Sequence, residues 1–259
     1  MMLKPHMHSP LMRPLTRLLL ALGGLFALAG LIALAPATAA PPHHEAPAKG
    51  DAATSETADW NNRITLTPDG AHILGNPEAK LKLTEYMSYT CPHCAHFEGE
   101  GVATMRMTMI AQGKGSLEVR HLLRDPIDMA VALLTNCVPP QRFFALHDAF
   151  LMQQDHWLTP AYKMSQDQQK RWFDGPLPTR MRAVANDLHL YDFVANKGLR
   201  RTDADRCLTN EALARRIAAQ TADASKLGID STPSFGINGV ILAGTHDWAT
   251  LKPQLDARL

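Results

Sequence analysis

A pair of cysteines three residues apart constrains the fold of this chain more than any other feature. They occur where a predicted strand ends and a predicted helix begins. They lie in residues 86–98, which read YMSYTCPHCAHFE. Cys91 falls at the helix start, where unpaired backbone N–H groups and the positive end of the helix dipole favour a thiolate over a thiol. Pro92 supports that start, because a residue in the first turn needs no N–H partner. Cys94 lies one turn further along and can reach the Cys91 sulfur, so we take Cys91 as the candidate nucleophile and Cys94 as its buried partner.

Three other interpretations of this C-x-x-C pattern have to be weighed. Covalent haem attachment needs a histidine directly after the second cysteine, and that position is Ala95. A zinc site needs a second ligand pair, but Cys137 and Cys207 are isolated in the sequence, and His93 and His96 are too close together to complete a tetrahedron without strain. A purely structural disulfide in so small a ring adds little stability. The pattern therefore predicts redox chemistry, with the two cysteines themselves as the reactive group, no metal and no further cofactor.

The N-terminal residues have the order of a secretory signal. Three basic residues and no acid precede an apolar run at 18–35, and small residues follow at 36–40. We expect cleavage after Ala39, so that residues 1–39 are a signal peptide and residues 40–59 a flexible leader poor in apolar side chains. An uncleaved membrane anchor is the alternative, because the apolar run is just long enough to span a bilayer. Either way the rest of the chain faces an oxidising compartment, where disulfides persist.

The remaining composition indicates one compact domain without nucleic-acid affinity. The whole chain has 26 Lys and Arg against 25 Asp and Glu; without the signal, which has three basic residues and no acid, the balance is 23 against 25. No basic stripe points to DNA or RNA. About 220 residues suffice for one hydrophobic core, and four cysteines are too few for a small scaffold stapled by disulfides.

The first part of this domain reads as a β-α-β unit. Order is expected from about Trp60, with a short strand at 64–66 and a central strand at 80–86. The helix that begins after Cys91 is predicted to end near residue 111, and a second long strand covers 116–123. A connection of this length between neighbouring strands implies a parallel pair with a right-handed crossover.

A helical block and a hairpin complete the predicted fold. Residues 126–229 have apolar side chains at helical spacing, and Pro and Gly divide them into short helices. His147 lies on one such apolar stripe and is interpreted as a core histidine with satisfied hydrogen bonds. Strands at 234–237 and 240–243 flank Asn238-Gly239, the strongest short-range signal for a two-residue hairpin, and a final helix follows.

With these features the chain resembles the DsbA family of bacterial periplasmic thiol–disulfide oxidoreductases. The likeness rests on Glu85, on the CPHC motif at 91–94, on Thr232-Pro233, on the hairpin and on the helical block. It implies a thioredoxin fold of the α/β class over residues 60–259, with a helical domain inserted between the β-α-β unit and the C-terminal hairpin and helix. It also implies a periplasmic location.

The resemblance assigns roles to individual residues. Pro233 is expected to be cis and to face the reactive disulfide, with the backbone at Thr232 pairing with an extended substrate. Pro92 and His93 between the cysteines are similar to the strongly oxidising members of the family. Glu85 matches a buried acid that carries a proton to or from the inner cysteine, although a solvated Glu85 at a sheet edge is the alternative.

The other two cysteines are expected to form a structural disulfide. An exported chain seldom leaves two free thiols, and the sequence around Cys137 and Cys207 does not indicate a reactive thiol at either position. The alternative is a pair of separately buried thiols. The position of both residues in the predicted helical block places this disulfide away from the C-x-x-C motif in the sequence.

Three functions fit these residues. In the first, an enzyme gives its disulfide to reduced exported proteins and is reoxidised by a quinone-coupled, DsbB-like membrane protein, as the resemblance implies. In the second, the same site acts as an isomerase or reductase on misoxidised proteins; Thr232 favours this, because the best-known oxidase of the family has Val there and its isomerase has Thr. The third is a binding protein that holds unfolded chains or metal in the groove beside Pro233 without turnover.

Overall fold

The structure is a computed structural model and describes residues 59–259. The predicted signal peptide at 1–39, and the predicted leader up to residue 58, lie outside the described residues. Within residues 59–259 no helix has both the length and the apolar character that a bilayer crossing requires.

A six-stranded mixed sheet forms the centre of the fold, with strand order β1-β2-β4-β3-β5-β6. The strands are β1 Ile64–Leu66, β2 His72–Gly75, β3 Leu81–Met87, β4 Gly115–His121, β5 Ser234–Ile237 and β6 Val240–Ile241. The strand that precedes the cysteine motif, β3, lies between β4, which is parallel to it, and β5, which is antiparallel. The predicted parallel pair is therefore confirmed. The sequence prediction lacks β2, because its four residues show no alternation and are held in place by β1 and β4.

Eleven α-helical segments are assigned within the described residues. They are α1 Pro92–Phe97, α2 Ala103–Met105, α3 Pro126–Asn136, α4 Phe143–Met152, α5 Gln154–Lys163, α6 Gln166–Lys170, α7 Leu177–Asp187, α8 Leu190–Ala195, α9 Arg201–Leu208, α10 Glu211–Lys226 and α11 Trp248–Asp256. Helices α3 to α10 all lie between β4 and β5 in the chain. The order of the elements is thus a β-α-β unit, a helical block, a hairpin and a final helix.

The helix after the cysteine motif is continuous but not uniform. A π-helical segment, Glu98–Val102, follows α1, and a second one, Arg106–Ile110, follows α2. The helical course therefore ends one residue before the predicted limit near 111. The sequence prediction did not include the π segments, which are often found near functional sites.

The hairpin between β5 and β6 forms where the sequence predicts it. Asn238 has φ 51° and Gly239 has φ 83°, and a two-residue turn with positive φ at both positions matches the right-handed twist of the flanking strands. The Asn238 side chain also accepts a hydrogen bond from the Lys82 backbone N–H at 2.9 Å. This contact ties the turn to the central strand β3.

Candidate active site

The cysteine motif lies at the end of the central strand. Strand β3 ends at Met87, and Cys91 is the residue immediately before α1, in extended conformation. Cys91 and Cys94 are both free thiols and both buried, with 2% and 0% of their surface exposed. The structure brings Thr232 to this point from 141 positions away, where its backbone carbonyl accepts a hydrogen bond from the Cys91 sulfur at 3.2 Å. The Thr232–Pro233 peptide bond is cis.

The surroundings of Cys91 favour its thiolate. Hydrogen bonding from the Cys94 thiol makes the largest contribution and lowers the pKa of Cys91 from 9.0 to about 5, against the opposing effect of burial. The Thr232 hydroxyl and the backbone N–H groups of Cys94 and His93 stabilise the same negative charge. His93 thus contributes through its backbone N–H, as expected of a residue in the first turn of a helix.

The inner cysteine has the opposite preference. Burial raises the pKa of Cys94 well above its ordinary value, and the nearby Cys91 and Glu85 raise it further. Glu85 on β3 is 1% exposed, and neither of its carboxylate oxygens has a hydrogen-bond partner among the described residues. Burial, followed by the charges of Glu98 and Cys91, raises the pKa of Glu85 well above its ordinary value. Burial therefore favours the uncharged form of both Glu85 and Cys94.

The turn between β3 and α1 is held by residues that the sequence analysis missed. Gln154, the first residue of α5, donates from its amide nitrogen to the Tyr89 carbonyl at 2.8 Å and to the Cys91 carbonyl at 3.0 Å. The Asp128 carboxylate on α3 accepts from the Tyr89 backbone N–H at 2.9 Å. Asp125, which caps α3, accepts from the Thr90 hydroxyl at 2.7 Å. No sequence signal identifies Gln154, because its role depends on how the helical block packs against the turn.

Two clefts flank the Cys91–Pro92 corner. The one beside the cis peptide bond has a volume of about 770 Å³ and is lined by Cys91, His93, Arg124 and Thr232, among others. The other has a volume of about 670 Å³ and lies along the exposed side of α1, with Met152 on its far wall. Cys91 lines the first of these clefts, which is therefore the side from which a segment of polypeptide can approach its sulfur.

Cys137 and Cys207 are joined by a disulfide, and the two residues are 70 positions apart in the chain. Cys137 directly follows α3 and Cys207 lies within α9. The bond therefore connects two helices of the helical block, away from the redox turn in the sequence.

His147 on α4 departs from its interpretation as a satisfied core histidine. It is fully buried, and its Nδ1 lies 2.8 Å from the Tyr89 hydroxyl oxygen, but its Nε2 has no hydrogen-bond partner among the described residues. Glu98 and Asp148 lie beside that nitrogen. No sequence pattern indicates this cluster, because it depends on the packing of α4 against the π-helical segment.

Comparison with known proteins identifies the class to which this fold and site belong. The family model described as thioredoxin matches residues 67–257, so the chain belongs to the thioredoxin family. Among solved structures, the protein-disulfide isomerase of Novosphingobium aromaticivorans is 54% identical with a TM-score of 0.72, and the alignment covers 73% of this chain and 97% of that one. The alpha-DsbA1 of Wolbachia pipientis is similar in fold, with 22% identity, a TM-score of 0.59 and coverage of 74% and 92%.

A curated relative bears a name of the same kind as the first of these structures. A Rickettsia conorii protein that bears the name protein-disulfide oxidoreductase is 26% identical over 193 residues, and the match covers 74% of this chain. This chain spans 61% of the length of that relative. The expected α/β thioredoxin fold class is confirmed by the family model and by the solved structures.

Proposed function

We propose that this protein is an oxidant that introduces disulfides into exported proteins through Cys91 and Cys94. The observation that carries the proposal is the opposite environment of the two sulfurs. Cys91 is placed where its thiolate is stabilised, with a pKa of about 5, whereas Cys94 is buried beside Glu85 and holds its proton. A disulfide whose outer sulfur leaves as a stabilised thiolate is readily transferred to a substrate.

The reaction proceeds in two exchange steps. A substrate thiolate attacks the Cys91 sulfur of the oxidised enzyme, the Cys91–Cys94 bond breaks, and Cys94 leaves as a thiolate that takes up a proton. A second substrate thiolate then attacks the substrate sulfur of the mixed disulfide and releases Cys91 as a thiolate. The substrate loses two electrons and becomes a disulfide, while the enzyme gains them and becomes a dithiol.

Glu85 and the 232–233 segment assist these steps. The leaving Cys94 sulfur is shielded from water, so its proton has to come from a group inside the protein, and Glu85 is the buried acid that interacts with it. The Thr232 carbonyl, which accepts from Cys91 when no substrate is bound, is the backbone group that an extended substrate would meet. The cis Pro233 then forms the wall of the substrate groove, beside the cleft of about 770 Å³.

The proposal includes a cellular setting and a partner. The substrates are reduced or misoxidised proteins in the periplasm, which this chain reaches through its N-terminal signal. Each turnover leaves a reduced enzyme, so a reoxidising protein is required, and a quinone-coupled membrane protein of the DsbB kind supplies that oxidant. The exposed Pro92, which follows Cys91 and lies between two open clefts, is where such a partner would dock.

Isomerase action at the same site is the second candidate. The relative from Novosphingobium aromaticivorans bears the name protein-disulfide isomerase, and Thr232 places a hydroxyl beside the Cys91 sulfur. In that mode the reduced enzyme attacks a wrong substrate disulfide through the Cys91 thiolate. The two candidates differ in the redox state in which the enzyme has to be kept.

Redox equilibrium with glutathione, combined with turnover on a reduced model substrate, tests the proposal. We expect a reduction potential above the ~−270 mV of thioredoxin, and stoichiometric oxidation of reduced ribonuclease by the oxidised enzyme. A potential as low as that of thioredoxin, with correction of scrambled ribonuclease by the reduced enzyme, would assign the isomerase or reductase function instead. Cys91→Ser should abolish turnover; a wild-type protein that binds unfolded chains but shows no turnover would point to a binding protein.

A further inference from the structure

A buried cluster of three potential ligands lies where the first π-helical segment meets α4. Glu98 is the first residue of that segment, and His147 and Asp148 are neighbours on α4. One ligand atom from each residue lies within 4.8 Å of the other two. Glu98 and His147 are 5% and 0% exposed, whereas Asp148 is partly open to solvent.

The hydrogen bonds on the far side of the ring determine which nitrogen of a neutral His147 holds the proton. The Thr135 hydroxyl donates to the Ala132 carbonyl at 3.1 Å, and the Tyr89 hydroxyl donates to the Thr135 oxygen at 3.0 Å. The Tyr89 oxygen can then only accept from the nitrogen 2.8 Å away, so the neutral ring has its proton on Nδ1. The lone pair of His147 is consequently on Nε2, which lies 3.5 Å from Oε2 of Glu98.

Three polar atoms of this cluster are left without a hydrogen-bond partner among the described residues. His147 Nε2, Glu98 Oε2 and Asp148 Oδ1 are all buried and have no hydrogen-bond partner among residues 59–259. Arg106 pairs with the other oxygen of Asp148, Oδ2, at 2.9 Å and gives no hydrogen bond to Oδ1. Buried acceptors that face one another are costly unless a cation lies between them.

We propose that Glu98, His147 and Asp148 bind one divalent transition-metal cation of the zinc class. Zinc binds imidazole nitrogen and carboxylate oxygen at about 2.0–2.2 Å, which puts neighbouring ligand atoms in a tetrahedron roughly 3.3–3.6 Å apart. The separation of 3.5 Å between His147 Nε2 and Glu98 Oε2 agrees with the distance expected between two ligands of such a tetrahedron. Calcium fits poorly, since it takes six to eight oxygen ligands.

Two further features match a metal centre. The ring N–H of His147 is held by the Tyr89 hydroxyl, and such an outer contact is what orients a metal-binding histidine. The partly open side chain of Asp148 leaves a route by which the ion enters and by which water supplies the fourth ligand. The cation site does not depend on the direction in which the cysteine pair reacts.

Zinc titration of the fully oxidised protein tests this site. In that state Cys91 and Cys94 are in a disulfide and offer no thiolate to the metal. Isothermal titration calorimetry with zinc chloride should detect one saturable site in the wild-type protein, and thermal unfolding should shift upward with zinc but not with calcium. X-ray absorption should show nitrogen and oxygen ligands and no sulfur.

Matched variants separate this site from adventitious binding at the surface. Glu98→Gln and Asp148→Asn keep the shape of each side chain but remove a charged ligand, and each should abolish the saturable site. His96→Gln is the control, because His96 and Glu100 form a pair of similar length, 3.4 Å, that is exposed on the helix surface; it should bind zinc as the wild type does. Tyr89→Phe removes the outer contact to His147 and should weaken binding about 10–100-fold.

Two results would overturn the proposal. If zinc binding is unchanged in Glu98→Gln and Asp148→Asn, the metal is held elsewhere. If the folded wild-type protein shows no saturable zinc binding at all, the cation shared by these three residues is a proton, as in a buried carboxyl–imidazole pair.

Discussion

Replacing Cys94 by alanine should raise the pKa of Cys91, because it removes the group that contributes most to the stability of the thiolate. In the structure the Cys94 thiol donates to the Cys91 sulfur, and together with the neighbouring donors it lowers the pKa of Cys91 to about 5. A hydrogen bond to a charged group contributes about 1.5–3 kcal/mol, and one pKa unit corresponds to about 1.4 kcal/mol. The Cys94→Ala change should therefore raise the pKa of Cys91 to about 6–7.

Ultraviolet thiolate absorbance against pH measures this value directly. With Cys137 and Cys207 in their disulfide, Cys91 is the one thiol left to titrate in the variant. Cys94→Ser is the matched control, since its hydroxyl keeps a donor at the same position, and the pKa of Cys91 should stay closer to 5 than in the alanine variant. A wild-type midpoint near 9, or an identical midpoint in wild type and alanine variant, would refute the reasoning.

Three other changes test separate parts of the structure. The free energy of unfolding of the reduced wild-type protein should rise with pH between about 5 and 9.0, relative to that of Cys91→Ser. Over this range the unfolded thiol keeps a proton that the native thiolate has released. Equilibrium urea unfolding at several pH values measures this, and a difference between the two proteins that does not change with pH would contradict it. Replacing both Cys137 and Cys207 by alanine should lower the free energy of unfolding by about 4 kcal/mol, the value of the chain-entropy model for a loop of 70 residues. Alkylation of both residues in the wild-type protein without prior reduction would contradict the disulfide. Gln154→Ala leaves the Tyr89 carbonyl without its donor and removes one of the two donors to the Cys91 carbonyl, so it should destabilise the protein by about 2 kcal/mol in urea unfolding. The exposed Gln153→Ala should change the free energy of unfolding by less than about 0.5 kcal/mol, and equal effects of the two variants would argue against the Gln154 contacts.

Local structure could be predicted from the sequence because its causes lie within a few residues. The helix that starts at Pro92 and the hairpin at Asn238-Gly239 are encoded by residues with restricted or unusual backbone preferences, and both form as expected. The alternation of apolar residues likewise predicted the central strand, which the structure has one residue later, at Leu81–Met87. The placement of Cys91 at a helix start, and with it the preference for a thiolate, follows from the same local rules.

The tertiary structure alone decided which distant residues surround the two sulfurs. Thr232 reaches Cys91 from 141 positions away, and Gln154 holds the Cys91 carbonyl from 63 positions away. Glu98, His147 and Asp148 come together because of a π-helical segment that no sequence pattern predicts and because α4 packs against that segment. Backbone preferences act over a few residues, whereas these contacts form only when the helical block buries its apolar face against the sheet, and that packing is a property of the whole chain.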